Sequence, residues 1–305
     1  MPNDRTEGRR ADRRTFRPTL DGHLEARLLL SHLGRTHQAA SPIAPVKLFT
    51  ANGGQSLRLI TANTDRFELT LTGPGTIRGI PLSRGRVGLV VDGSTDLTQL
   101  DISPMGVSQR PGLAHEVPVA SRRRTVLLRV GSIEVTSGRI GSILGYHTAR
   151  LSGPVTVRGT DPVDRIAFHS LEPGAAILVA GDLDTLDVLT NANIAGGPGI
   201  SVGRDFNSFS VGQNLTIRDG ANVTITRDLG LNAQPFKGTG PAGQGIGVEG
   251  NLIIAPGSTI RIGRDLVGDI SVVGNADFGA TSGTPRITIG RDNLGGISVR
   301  GTLLS

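Results

Sequence analysis

One seven-residue phrase returns through the second half of this chain at a fixed interval. It reads "ILVAGDL" from residue 177, "ISVGRDF" from 200, "VTITRDL" from 223 and "IGVEGNL" from 246, so its starts lie 23 residues apart three times running. Each copy sets two aliphatic residues either side of one other residue, the alternation of a strand with one buried face. Gly, Arg, Asp or Asn follow, in keeping with a turn. Further copies stand at 260 ("IRIGRDL") and 287 ("ITIGRDN"). A second phrase follows nine or ten residues later: "LDVLTNA" at 186, "FSVGQNL" at 209, "ISVVGNA" at 270 and "ISVRGTL" at 297. The segments 214–229 ("NLTIRDGANVTITRDL") and 251–266 ("NLIIAPGSTIRIGRDL") align over their whole length.

A short strand, a turn, a second strand and a return after about two dozen residues describe one coil of a parallel β-solenoid. The expected fold is therefore all-β: a single-stranded right-handed parallel β-helix with coils of about 23 residues, the hand following the general preference for right-handed crossovers. In that register Ile200, Val223 and Ile246 form one buried column, Val202, Ile225 and Val248 the next, and Phe206, Leu229 and Leu252 a third. A slip of one residue would turn a strand inside out, so insertions belong at turns. The Gly-rich stretches 230–247 and 276–285 read as loops expelled from the coil. Earlier in the chain "LTGPGTIRG" (71–79) echoes "LSGPVTVRG" (151–159), and "LVVDGSTDLTQLDI" (89–102) echoes "ILVAGDLDTLDV" (177–188). These echoes extend the solenoid over residues 60 to 305, about ten coils and near 50 Å of stacked strands. Residues 103–147 break the pattern, as a side excursion or a gap between two lobes. A β-sandwich of short strands gives no reason for a fixed interval. Overall the chain resembles the right-handed parallel β-helix class, whose members include surface adhesins, phage tailspikes and polysaccharide lyases.

Composition fits many short strands and tight turns. Of 305 residues, 44 are Gly and 37% are hydrophobic, while Trp is absent and Tyr occurs once. With no Cys, disulfides and thiolate metal sites are excluded. The net charge is +6, and the excess gathers in residues 1–47, with nine Arg or Lys against five Asp or Glu. No apolar run is long enough for a transmembrane helix, and no ordinary signal peptide is present.

Three segments follow from this: a disordered basic tail (1–19), a short amphipathic helix and linker (20–46), and the solenoid (47–305), with an interruption at 103–147. The helix is expected from Leu20, Leu24 and Leu28, with Leu29 and Leu33, and Gly34 ends it. The segment "RRTFRPTLDGHLEARLLLSHL", with Leu24, Glu25, Arg27, Leu29, Leu30 and Ser31 behind a basic run, resembles the LEPR-XLL segment at the start of many planctomycete surface and secreted proteins. The resemblance implies a sorting or surface-association role for those residues and nothing about chemistry elsewhere.

Candidate chemistry is sparse. Asp182, Asp205 and Asp228, with Asn251, share one column of the repeat. Carboxylates stacked about 4.8 Å apart repel. The neighbouring Arg204 and Arg227, or a calcium ion, would neutralise them; alternatively these side chains cap turns by accepting from backbone N–H groups. Asp182, Asp184 and Asp187 are close in sequence, but alternation separates them, and no catalytic, cofactor or metal residues are assigned. "GIGVEG" (245–250) matches a dinucleotide motif without the strand before and helix after that the motif requires. "GGPGIS" (196–201) opens like a calcium-binding nonapeptide without its Asp. His23, His32, His37, His115, His147 and His169 form no metal-ligand pair. With no Trp and one Tyr (Tyr146) a sugar-stacking platform is hard to build, Phe236 on the expelled loop is the aromatic singled out for it, and "RRR" (122–124) reads as a solvated charge run.

The function expected is a non-catalytic cell-surface or exported β-solenoid with a structural or adhesive role. Its partners would be a cell-envelope component or polysaccharide, without specific nucleic acid or a transmembrane span. The final phrase, "ISVRGTLLS", stops in mid-pattern, which points to end-to-end self-association through an uncapped coil. The alternatives are a polysaccharide-acting β-helix enzyme or a degenerate relative of one, and an anionic-polymer binder using the Arg-rich tail.

Overall fold

The computed structural model describes residues 47–61, 63–105, 126–230, 245–279 and 287–304. The basic tail, the LEPR-XLL-like segment, Phe236 and the run 122–124 lie outside them. The described chain is all-β, with about 59% strand, almost no helix and a parallel solenoid of about seven turns.

Three files of parallel strands build the coils. In the first, Leu89, Ile133, Val155, Ile177, Ile200, Val223, Ile260 and Ile287 stack as direct partners over eight successive strands. In the second, Leu100, Ile143, Ile166, Leu186, Phe209, Ile246, Ile270 and Ile297 do the same. The third runs through Leu151, Leu171, Ala192, Leu215, Leu252, Ala276 and Leu303. Within each strand the residues beside these point mostly outward, so the files meet as one core, up to the last coil, where Ile297 and Leu303 are exposed.

The columns Ile200–Val223 and Val202–Ile225 form as expected, but Ile246 and Val248 do not continue them. Ile246 stacks on Phe209 and Val248 on Val211, in the second file. Leu252 likewise stacks on Leu215, and Phe206–Leu229 continues to Leu266. The cause is a coincidence of lengths. The insertion 231–244 adds 14 residues and lengthens one coil from 23 to 37. Phe209 and Val223, in adjacent files, are also 14 apart, so a phrase from the second file lands where the first was due. Gly245–Val248 is a strand and so stands inside the coil, as does Ala276–Asp277; 231–244 and 280–286 are outside the described residues.

The start of the body also differs from a continuous solenoid. Strands Lys47–Ala51, Ser56–Ile60 and Arg66–Thr72 run antiparallel, the last of them against Gln99–Pro104. Thr76–Leu82 forms an antiparallel hairpin with Arg86–Asp92. Parallel stacking begins only with Arg86–Asp92 on Leu128–Val135 and Gln99–Pro104 on Ser142–Leu151. The echo of 71–79 in 151–159 is therefore a likeness between a hairpin and a coil, whereas the echo of 89–102 in 177–188 links strands of the same two files, Leu89 with Ile177 and Leu100 with Leu186, with other coils between them. Residues 128–151, which overlap the expected interruption, form two strands of the stack; 106–125 are outside the described residues.

Polar side chains tie coil to coil at the corners. The Oδ1 of Asp182 accepts from the backbone N–H of Asp205 (2.9 Å), that of Asp205 from Asp228 (3.2 Å), that of Asp228 from Asp265 (2.9 Å) and that of Asp265 from Asp292 (3.1 Å). Asn251 belongs to a separate ladder: Asn191 Oδ1 accepts from Asn214 N–H, Asn214 from Asn251, Asn251 from Asn275 and Asn275 from Thr302. At a corner the strand pairing lapses, and these oxygens take over backbone donors that would otherwise be orphaned. One arginine per coil reaches back to the preceding aspartate: Arg204 to Asp182 (3.6 Å), Arg227 to Asp205 (3.5 Å), Arg264 to Asp228 (3.7 Å) and Arg291 to Asp265. The close Arg291 guanidinium holds the Asp265 carboxyl below the usual carboxylate range.

Two expectations follow. Asp228→Ala orphans the Asp265 N–H and should lower unfolding stability in urea by about 1–3 kcal/mol. Asp228→Asn should cost clearly less, because asparagine performs the same task at Asn214 and Asn251. Since N–H and guanidinium groups already engage these carboxylates, adding calcium to chelated protein should leave the melting temperature unchanged. A rise on calcium addition would assign the ladder to the metal.

Candidate functional site

A marked irregularity in the stack lies on the second file. Phe168 stands opposite Gly145, and Ser170 opposite Arg150. Between those pairs the strand Val163–Leu171 advances two residues while Ser142–Leu151 advances five. Three extra residues must bulge outward, and bulges of this kind re-aim side chains. Gly145 permits the tight loop, since a Cβ there would lie 2.7 Å from the Ala149 Cβ. The Thr148 hydroxyl donates to the Ile102 carbonyl, and buried Ala149 pairs with Leu128, so the bulge is tied down beside its projecting residues. Those residues are Tyr146 and His147, whose rings meet edge to face at 4.9 Å.

Arg165 and Asp187 accompany Tyr146. The Arg165 guanidinium lies 6.0 Å from the Tyr146 ring centroid, within cation–π range. Its Nε and Nη2 donate to Asp187 Oδ2 at 2.8 and 2.6 Å. Asp187 holds an outward position between Leu186 and Val188, yet is only 3% exposed. Burial pushes its carboxyl up, against the opposing pull of Arg165. Burial also raises the Tyr146 phenol, with Asp187 adding to the effect, so the phenol stays protonated and can donate.

His169 sits on Val163–Leu171, within the register shift. Its Nδ1 is buried and finds no hydrogen-bond partner among the described residues. Burial first, then Arg150 and His147, lower its pKa, so the imidazole is neutral at pH 7. Nearby, Asp164 is raised by burial and by the carboxylates of Asp184 and Asp96.

The three clustered aspartates take different partners, although Asp184 does not turn away from Asp187 as strict alternation would have it: Leu183 and Leu186, three residues apart, are both buried, and both aspartates lie outward. Asp182 caps a corner, Asp184 accepts from Asn207 Nδ2 at 2.9 Å, and Asp187 binds Arg165. The Tyr146 bulge escaped the sequence reading, although a signal was there. Ile143 to Leu151 spans three residues more than the partner segment Ile166 to Leu171, and the surplus holds the sole tyrosine. Among the described residues no cluster of three or more His, Asp or Glu is arranged to hold a metal. No family model matches the chain, and neither a curated protein nor a solved structure shows significant similarity to it.

The Asp187 pair sets a pH expectation. A carboxyl with a raised folded pKa binds its proton more tightly in the native state than in the unfolded chain, where its pKa is about 3.9. Native stability from this group is therefore full below that value and is lost as pH climbs through the folded pKa. Asp187→Asn removes the loss, and half-exposed Arg165 can turn to water. The variant should melt above wild type at pH 7, with the gain vanishing below about pH 4. Thermal melts across pH 3–8 check this.

Proposed function

We propose that this protein is a non-catalytic β-solenoid, exported or held at the cell surface, with a structural or adhesive role. The observation that carries the reading is the pair of corner ladders. Their carboxylates and amides are spent on fastening each coil to the next, and the carboxylates are neutralised by arginines of the same repeat. A repeat that commits its polar side chains to its own corners suits an extended scaffold. In this reading the winding is right-handed, and the LEPR-XLL-like start directs the chain to the surface. Fractionation of the source cells tests the location. Recovery with the envelope or medium is expected, and recovery in the cytoplasm alone overturns it.

A second reading, a polysaccharide-acting β-helix protein, is favoured by the bulge alone, where an aromatic ring, two imidazoles and a guanidinium gather on the outside of a long sheet. Incubation with acidic polysaccharides separates the two readings: new unsaturated ends would replace the non-catalytic role with a lyase.

A further inference from the structure

The two ends of the described stack are unlike. At the first, antiparallel strands cover the coil edge: Thr76–Leu82 pairs with Arg86–Asp92, and Arg66–Thr72 with Gln99–Pro104. At the other, Ile287–Ile289, Ile297–Val299 and Leu303–Leu304 each pair on one side only among the described residues. Ile297 is 48% and Leu303 58% exposed, whereas Ile270 and Ala276, their partners one coil back, are fully buried. Aliphatic columns and strand edges are thus open together, a combination that invites another strand.

The bonds of this coil fix which backbone groups are open. Ile270 N–H donates to Gly296 O at 2.8 Å, and Arg300 N–H to Val272 O at 2.9 Å. Along a strand, successive residues alternate in the side to which their backbone groups point. Ser298 therefore faces the stack, and the N–H and C=O groups of Ile297 and Val299 face away from it. The bonds from Gly290 N–H to Ile262 O and from Ala276 N–H to Thr302 O turn the groups of Ile287, Ile289 and Leu303 away in the same manner.

We propose that the last described coil is a dimer interface, closed by a second copy of this chain across a two-fold axis through Ser298. Such an axis, lying in the plane of the coil, reverses strand direction, so Ile297–Val299 meets its own copy antiparallel. Ile297 then stands opposite Val299 of the partner subunit, and each such pair exchanges both hydrogen bonds through the groups that face away from the stack. Ile297 and Val299 continue the buried columns of Ile270 and Val272, so the side chains that close one core also close the other. The axis also sets Ile287–Ile289 over Leu303–Leu304 of the partner subunit, which covers all three files. Charge fits as well. Arg300 makes no ion pair among the described residues, and it falls over Gly296 of the partner subunit. The N–H of Gly296 bonds Asp269 Oδ1 at 2.8 Å, and the same corner carries Asp292. Asp292 ends the aspartate ladder and, unlike Asp182, Asp205, Asp228 and Asp265, accepts no backbone N–H among the described residues. A basic corner thus meets an acidic one twice. A head-to-tail copy would find the first end already covered, and a two-fold interface uses one patch on both subunits and closes.

Sedimentation equilibrium of the full chain, over about a hundredfold range of concentration, reads the association directly. A reversible species of twice the chain's 31.7 kDa is expected. Val299→Pro removes an N–H that faces away from the stack, where an edge strand tolerates proline, and should weaken the dimer about tenfold or more with an unchanged circular dichroism spectrum. Arg300→Glu sets acid against acid and should weaken it as much. Arg218→Glu, on the third file three coils back, should leave it unchanged. A monomer at every concentration, growth beyond a dimer, wild-type dimerisation by the folded Arg300→Glu chain, or equal weakening by Arg218→Glu overturns the proposal. The interface stands apart from the scaffold reading: a dimer found only in the cytoplasm would overturn the location and keep the interface.

Discussion

Deleting Ser201 is expected to cost about 2–3 kcal/mol of unfolding stability, from either a lost valine or a lost corner bond. Ser201 is the outward residue of Ile200–Val202, between two fully buried neighbours. Without it, Val202 turns to solvent and Gly203 to the core. Otherwise the slack must come from the corner, which then loses the N–H of Asp205 that bonds Asp182. Removing the 14 residues 231–244 should do almost nothing by comparison. Leu229 stacks on Phe206 and Gly245 on Ser208, so Gly230 and Gly245 fall where Asn207 and Ser208 are adjacent in the coil before. Joining them restores a 23-residue coil, with stability within about 1–2 kcal/mol of wild type and on the higher side, since a loop no longer has to be closed. Urea unfolding of both variants checks the pair. If the fourteen-residue deletion unfolds the protein while the single deletion is tolerated, the stacking register is wrong.

Phe209→Ala is the substitution expected to damage the core most, by about 3–5 kcal/mol. Phe209 is fully buried between Leu186 and Ile246 in the second file, and its ring stacks on Phe206 at 6.2 Å and 26°. The aliphatic files on either side are held in place by backbone pairing, so the cavity cannot close by collapse. Phe209→Leu should cost less, about 1–1.5 kcal/mol, because most of the volume is kept. The damage should also be visible at the candidate site. Phe209 lies beside the strand Leu183–Val188 that carries Asp187, so tyrosine emission should shift in the alanine variant before global unfolding. Equal midpoints for alanine and wild type would show that Phe209 does not lie in the core.

The repeat was legible because a solenoid asks the same thing of every coil. Ile177, Ile200 and Val223 need the same chemistry at the same angle, and the sequence repeats it at constant spacing. The corner aspartates were legible for the same reason, and the neighbouring Arg204 and Arg227 indicated how their charge is met. Asn251 was assigned to the wrong ladder because Asp and Asn fit both corners and local spacing was the only guide. The alignment of 214–229 with 251–266 already held the correct offset of 37, with Leu215 on Leu252 and Val223 on Ile260. The antiparallel start was harder to see, since strand alternation is the same in a hairpin and in a coil.

The amino-acid sequence by itself determined the strand content, the coil length and the polar corners, all consequences of short-range periodicity and turn chemistry. Tertiary structure alone decided which file each strand joins and where antiparallel pairing gives way to parallel stacking. It also decided that Tyr146, Arg165 and Asp187 meet on one outer face. Those outcomes depend on loop lengths and on a three-residue surplus in one strand relative to its partner, and a mismatch between two strands acquires meaning only once they are paired.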